Sequence, residues 1–600
     1  MAKPFALFTA FCSVHASGAA PPTLRDAPFA TSCGPMYIDG TWTASEAQLG
    51  ITIPAAVPGD VITDLQSAGV IGDPYYELNL LDNRTLWQNS NSWTYTTNVS
   101  LPPPGALPGA SLLLVFDGIK MGATVSFNGV FLGNATNQFV RYIFPLPPAS
   151  VVTGGANVIQ VAFDASLSLA GRFMACSGGW DWAPNSELTL NDTEFGVAQT
   201  FSSGIWKSVY VAAVAPSTAA ISAVVPLTYY RGAYPVGALV DGNHSGFTVN
   251  VTAHLWAPQG GARGSLAVMT SWGASAASPP TQLPPGDSSL TLTLTATAAQ
   301  ILLWWPNGMG QQPLYNVTAT WTPASSGGPT TSSRQLGFRV AALVTVNDTN
   351  ATVVQESVGA DGSGAGFGMF FRINGAAIYA RGANLVPMEV LEGRLDAVAY
   401  ATLVNSAADA NANMIRIWGG GIYPPDALYD ACDARGILIY HDLQFARGNF
   451  PEPLPAAATQ SIIAEVAHQV RRLSHHPSII LYDSNNEDVV EPTGPTAIYS
   501  TLIMTAVAAE DTSRIVWPNS PSAGWKGGVD RLYGTPNGLP LVALGGGHDY
   551  LAGQVGCILC TVPKSIGLPA LFTPRVRIVT GVAPLLPGGR RRVELVDHHD

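Results

Sequence analysis

Between residues 92 and 165 apolar and polar residues alternate in short runs. "SWTYTTNVSL", "SLLLVFDG", "ATVSFNGVFLG" and "NVIQVAFDA" each carry a period of two, which turns one face of a strand to a core and the other to water. Turn-forming pairs such as Asn128-Gly129 divide them. Residues 21–215 therefore predict a jelly-roll-like β-sandwich. Residues 216–345 repeat the theme in "GFTVNVTAHLW", "SLTLTLTA" and "LYNVTATWT", and predict a second, immunoglobulin-like β-sandwich.

Near residue 370 the pattern changes. "AAIYARGAN", "MIRIWGGG", "ILIYHDLQF" and "SIILYDSNNE" are apolar runs that end in polar residues. "RIVWPNS" (514–520) and "LVALGGGHDY" (541–550) extend the series to six. Helical spacing lies between them. Pro424-Pro425-Asp426 opens "DALYDACDARG", Ala427, Leu428, Ala431 and Cys432 share one face, and Gly436 closes it. In "SIIAEVAHQVRRL", Ile462, Ile463, Val466, Val470 and Leu473 share a side. Strands that are apolar throughout, alternating with helices, predict a parallel α/β unit, here an incomplete (β/α)8 TIM barrel over 346–555. Residues 556–600 follow no such pattern and read as an aberrant or disordered tail.

In such barrels chemistry sits where the strands end. The ends carry Arg381 and Asn384, Arg416 and Trp418, Asp442 and Gln444, Asn485, Asn486 and Glu487, Asn519, and His548 and Asp549. An isolated "NNE" reads equally as a helix cap. The gathering of polar side chains at six strand ends turns Glu487 into a candidate acid. Two readings stand for its neighbours. Trp418 lines a pocket or packs on the barrel top. Arg416 and Asp442 contact a ligand or form a structural ion pair beneath it. His548 faces the site or is a loop residue.

Composition narrows the chemistry. The 600 residues are enough for about three or four domains. Charged residues make up 11%, the net charge is −12, and the only basic block is Arg590–Arg592, which argues against nucleic acid and acidic membranes as partners. A neutral polar ligand fits better, and 14 Trp and 19 Tyr suit sugar stacking as well as core packing. Residues 1–20 have the apolar run and small residues of a cleavable secretory signal. Nine N-x-S/T triplets, at Asn83, Asn98, Asn134, Asn191, Asn243, Asn250, Asn316, Asn347 and Asn350, agree with the secretory pathway, ending in a lysosome, a vacuole or outside the cell. No later stretch has the length and apolarity of a membrane anchor. The six cysteines are too few for a disulfide scaffold, and the single C-x-x-C at Cys557 and Cys560 lacks the further ligands zinc needs. No metal or organic cofactor is expected.

Several long motifs resemble glycoside hydrolase family 2, in particular its β-mannosidase branch. They are "VPGDVITDLQSAGVIGDPYYELN" (57–79), "GGWDWAP" (178–184), "WWPNGMGQQPLY" (304–315), "LGFRV" (336–340), "FFRINGAAIYARGANLVP" (370–387), "NMIRIWGGGIYPPDALYDACDARGILIYHDLQFA" (413–446) and "HHPSIILYDSNNE" (475–487). The resemblance implies two β-sandwiches before a β/α barrel. It also implies a retaining exo-hydrolase that removes terminal non-reducing β-D-mannose from oligosaccharides. Glu487 would be the general acid/base, Asn486 would hold the hydroxyl next to the reacting carbon, Trp418 would line the pocket, and Asp181 would reach in from the first domain. A carboxyl that stays protonated near neutral pH is what a departing glycosidic oxygen needs.

Retention also requires a second carboxylate about 5–5.5 Å from the first. The Ser-Glu-aromatic-Gly-like motif that carries it in the resembling family does not occur here. The glutamates after Glu487 are Glu491, Glu510 and Glu594. Glu491 is too near in sequence to end another strand, Glu510 reads as a helix end, and Glu594 lies in the unpatterned tail. A truncated or frameshifted 3′ end of the gene would explain this. The alternatives to an active β-mannosidase are a carbohydrate-binding fragment without turnover, or another family 2 specificity such as β-galactosidase, glucuronidase or exo-glucosaminidase. Leu385 in "NLVP" and Tyr482-Asp483-Ser484 before "NNE" also depart from the family pattern, where Trp and Trp-Cys-Gly are usual.

Overall fold

The computed structural model describes residues 25–87, 92–101, 109–120, 122–168, 172, 203–325, 327–344, 370–446, 453–486, 498–517, 520 and 529–530. The first β-rich region is built from two antiparallel sheets. Pro35–Tyr37, Val209–Val214, Ser111–Phe116 and Tyr142–Pro145 form one, and six strands in the order Ile51–Val57, Gly40–Glu46, Thr94–Ser100, Ala156–Phe163, Ala123–Phe127 and Val130–Ala135 form the other. Asn128 and Gly129 both take positive φ (49° and 76°) in the predicted hairpin turn, the conformation that favours Asn-Gly.

The second β-rich region keeps the strictest alternation. Phe247–Ala257 is buried at every second residue and pairs along its length with Ala220–Tyr230 and Gly286–Ala296. A facing sheet holds Ala262–Thr270, Tyr315–Pro323 and Thr330–Leu336 with two short strands. This sandwich keeps its own apolar core, whereas the core of the first sandwich is continuous with that of the α/β unit.

The α/β unit contains five parallel strands in sequential order: β1 (Gly382–Leu385), β2 (Met414–Ile417), β3 (Leu438–Asp442), β4 (Ile479–Asp483) and β5 (Ile515–Trp517). Helices α1 (Ala397–Asp409), α2 (Asp426–Arg435), α3 (Ala456–Leu473) and α4 (Met504–Glu510) connect them. β2, β3 and β4 are buried at every position, as strands covered on both faces must be. Gly436 closes α2 with φ 70°, a left-handed cap that costs glycine little. The predicted sixth strand, 541–550, lies outside the described residues.

Two expectations change. "AAIYARGAN" is two elements: Ala376–Ile378 belongs to an antiparallel hairpin with Phe370–Ile373, and the barrel strand begins only at Gly382. Arg381 is therefore at the start of β1, away from the strand ends. Helix α1 was not anticipated; it buries only Tyr400, Val404 and Ala408, a stripe too rich in alanine to stand out.

Docking explains several of the long motifs. Asp60 Oδ2 accepts from Gly393 N at 3.3 Å, Lys120 Nζ donates to Val390 O at 3.3 Å, and Tyr75 bonds Glu389. The first sandwich thus grips the loop that follows β1. In "WWPNG", Trp304 Nε1 donates to Asp433 O at 2.8 Å and Asn307 N to Gly436 O at 2.8 Å, tying the second sandwich to the end of α2.

Candidate active site

The ends of β1 to β4 meet on one guanidinium. Arg416 Nε donates to Asp442 Oδ1 at 3.1 Å and its Nη2 to Asp442 Oδ2 at 2.5 Å. Nη1 reaches Asn384 Oδ1 at 3.1 Å, and Nη2 also reaches Asn486 Oδ1 at 2.8 Å. Asp442 is fully buried and Arg416 nearly so. The planar fork of arginine matches a carboxylate in two parallel bonds, and here it locks the ends of four strands together. Of the two readings, the ion pair is the one the geometry takes: Arg416 directs these donors at protein groups.

That pairing orients Asn486. A guanidinium only donates, so the carboxamide oxygen of Asn486 must face it. Its Nδ2 has no hydrogen-bond partner among the described residues, which leaves a donor for a ligand. The backbone holds the residue in place: Asn486 N donates to Asn485 Oδ1 at 2.7 Å, and Ser520 N donates to Asn485 O at 3.2 Å.

Trp418 follows β2, half-buried, with its N–H on Leu385 O at 3.1 Å. Below it is a small apolar hollow walled by Leu385, Pro387, Tyr400, Ile417 and Ile422. The glycines after it are steric requirements. A Cβ on Gly420 would lie 2.2 Å from the Trp418 ring, one on Gly421 2.6 Å from Pro387, and one on Gly419 2.7 Å from Leu443 O. The run "WGGG" therefore lets a large ring lie against its own loop.

Sequence reasoning missed the layer beneath. Asp483 ends β4, fully buried, and accepts a hydrogen bond from Tyr440 OH. Burial, and next the Asp442 carboxylate, push its carboxyl well above the usual carboxylate range. The signal was present, since an acid inside an apolar run must find a partner. His441 is structural: Nδ1 meets Asp442 O at 2.7 Å and Nε2 meets Tyr429 OH at 2.8 Å, and burial drives it down to about 3, so it stays neutral. Gln444 is buried beyond β3 and donates weakly back to Asp442 O at 3.4 Å.

Glu487, Asp181, His548, Asn519 and Asp549 lie outside the described residues. Among the described residues Arg172 also ties the first β-rich region to the α/β unit. Arg172 forks onto buried Glu465 of α3 with two 3.0 Å bonds and also donates to Gln444 O. Glu510 is committed elsewhere, since Arg471 holds both its oxygens at 2.6 and 2.8 Å. Among the described residues one side-chain group has the spacing of metal ligands: Asp430, Asp433 and His476. His476 Nδ1 already bonds Asp433 Oδ2 at 2.6 Å, and Asp433 Oδ1 accepts from Ser478 N, so an internal pair accounts for two of the three. No helix among the described residues is long and apolar enough to cross a membrane.

Comparison with known proteins agrees with this arrangement. Residues 42–207 match the family described as glycosyl hydrolase 2 galactose-binding domain-like. The chain is 28% identical over 547 residues to a β-mannosidase of Rattus norvegicus, spanning 82% of this chain and 56% of that one. It is 30% identical over 465 residues to β-mannosidase A of Aspergillus niger, spanning 74% and 48%. The solved β-D-mannosidase of Dictyoglomus thermophilum superimposes with a TM-score of 0.66 at 24% identity, over 81% of this chain and 58% of that one. The chain thus spans about half the length of the curated relatives it matches. In sequence and fold it is similar to β-mannosidases of glycoside hydrolase family 2, with β-sandwiches preceding a partial α/β unit.

Proposed function

We propose that the protein is a β-mannosidase, a retaining exo-glycoside hydrolase that releases terminal non-reducing β-D-mannose from oligosaccharides. The observation that carries this reading is the Arg416-centred knot. It presents the amide of Asn486, without a partner among the described residues and directly before Glu487 in sequence, at the ends of the parallel strands. In the proposed reaction Glu487 protonates the departing oxygen and then deprotonates the attacking water. The Asn486 amide bonds the sugar 2-OH, an interaction that strengthens as the oxocarbenium-like transition state forms. Arg416 acts through Asn486, holding it in the donating orientation. Trp418 supplies an apolar wall. Asp181 and His548 would supply further polar contacts to the sugar.

A chromogenic β-D-mannopyranoside tests the reading. The protein should turn it over faster than matched galactosides, glucuronides and glucosaminides, and Glu487→Gln should slow it by about 10²–10⁴-fold, the usual contribution of a general acid. One observation favours a second reading, carbohydrate binding without cleavage: Glu510, a described glutamate after Glu487, is held by Arg471 and is not free to serve as nucleophile. Mannose binding with background turnover would select that reading.

The secretory route is part of the proposal. Cys33 is disulfide-bonded, with its partner outside the described residues, and such bonds persist in oxidising compartments. Asn98, Asn134, Asn243 and Asn316 are exposed, as glycan acceptors must be. A mass loss on enzymatic deglycosylation of protein from a eukaryotic host checks this; unchanged mass would refute it.

A further inference from the structure

Away from the strand ends, the outer face of α3 borders a cleft of about 670 Å³ shared with both sandwiches. Ile462, Val466, Val470 and Leu473 face inwards to the core. The opposite stripe, from Gln460 to Arg471, lines the cleft. Four arginines border it: Arg141 from the first sandwich, Arg334 from the second, and Arg471 and Arg472 from α3.

Three of these are already paired. Arg141 holds Asp117 at 2.6 Å, Arg471 holds Glu510 at 2.6 Å, and Arg472 bonds both Asp26 and Asp426. Arg334 differs. Among the described residues its one hydrogen bond runs from Nη1 to the neighbouring Ser333 O at 3.1 Å, and its Nε is buried without a partner. The carboxylates that act on it, Asp426 and Asp430, make no ion pair with it, and burial depresses its basicity. On the same cleft, the buried Nε2 of His468 on α3 also lacks a partner among the described residues. Burial keeps that imidazole neutral, so it can donate or accept one bond. An uncompensated guanidinium and an unsatisfied imidazole on one cleft are the complement of an oxyanion. The remaining polar lining, Ser222, His254, Ser288, Ser289, Gln460 and Asp287, is uncharged except for Asp287, since burial holds the His254 imidazole down at about 4. That carboxylate opposes a second anionic group and instead accepts from hydroxyls.

We propose that this cleft binds a phosphorylated sugar or polyol, with Arg334 and His468 on the phosphate and Asp287 and the serines on the hydroxyls. The volume agrees, since pockets for small organic ligands span roughly 300–1,000 Å³, well beyond a bare phosphate. The site is separate from the strand-end knot, so its test reads binding and not turnover.

Calorimetric titration of the full chain with glucose 6-phosphate, inorganic phosphate and glucose, at fixed ionic strength, decides it. Glucose 6-phosphate should bind saturably, one per chain, more tightly than inorganic phosphate, and excess glucose should not displace it. Arg334→Gln should weaken the ester by about tenfold or more, the worth of a charged hydrogen bond. Asp287→Ala should weaken the ester several-fold and leave inorganic phosphate unchanged. Arg334→Lys keeps the charge without the fork and should fall between wild type and the glutamine variant, which keeps the test open if the latter misfolds. Absence of saturable binding, equal affinity of wild type and both Arg334 variants, or displacement by glucose would overturn the site. Equal affinity for phosphate and ester, insensitive to Asp287→Ala, would overturn the hydroxyl half.

Discussion

Arg416 is buried and Arg334 half-buried, and their surroundings are opposites. Arg416 has a buried carboxylate in its fork and two carboxamides on its remaining edges. Among the described residues Arg334 has one backbone carbonyl. The first arrangement spends the charge on geometry, since a paired and fully bonded ion fixes what surrounds it. The second leaves the charge unspent at the wall of a cleft. The difference teaches what each region is for: the strand ends are preorganised before any ligand arrives, and the junction cleft is completed by one.

Removing a partner should sharpen that contrast. Asp442→Ala strands a buried guanidinium at the centre of the knot, and the loss should be about 3–5 kcal/mol in denaturant unfolding. It should also release Asn486, so sugar binding falls with stability. A loss below about 1 kcal/mol would show that the knot is not preorganised and would erase the distinction from Arg334.

Asp483 extends the contrast to pH. Its native carboxyl binds a proton more tightly than the unfolded one. The native state therefore holds a proton that the unfolded state has released once pH passes about 4. This contribution is complete below that point and declines as pH rises towards the native value, by about 1.4 kcal/mol per pH unit. Asp483→Asn keeps the amide form at every pH and should flatten the decline. Parallel stability profiles for both proteins would expose a native carboxyl that is already ionised.

How much of this was readable beforehand follows the same physics. Phe247–Ala257 alternates over eleven residues, so its faces were legible from period alone. The helix at Asp426–Arg435 announced itself through proline before and glycine after. At the strand ends, the residue types of Arg416, Asp442 and Asn486 were legible, but their pairing was not. It depends on parallel register across four strands, which no local pattern encodes. Arg381 was misassigned for that reason: a strand's start and end look alike until register is known. Asp483 escaped notice because its partner, Tyr440, is 43 positions away. Arg334 drew no attention because an isolated arginine in an alternating strand reads as solvent-facing.

Two smaller effects probe the two regions separately. Gly420→Ala drives a methyl into the Trp418 ring. Overpacking of this kind costs about 1–3 kcal/mol, and the ring should yield first. Its intrinsic fluorescence should shift and mannoside affinity should drop, while phosphate-ester binding in the cleft stays unchanged. Loss at both sites would mean that they are coupled through α3.

The smallest effect belongs to Arg334. Because it has no ion pair to lose among the described residues, Arg334→Gln should change unliganded stability by no more than about 0.5 kcal/mol, or raise it slightly, as replacing a half-buried charge without an ion pair does. Saturating glucose 6-phosphate should then stabilise wild type and not the variant, by linkage. The sign of the unliganded change is the decisive part. A structural arginine destabilises when removed, as the partner of Asp442 must, whereas a ligand-facing one is a cost the apo protein carries until the site fills. Destabilisation by more than about 2 kcal/mol without ligand would place Arg334 with Arg416, and the opposition between the two regions would be gone.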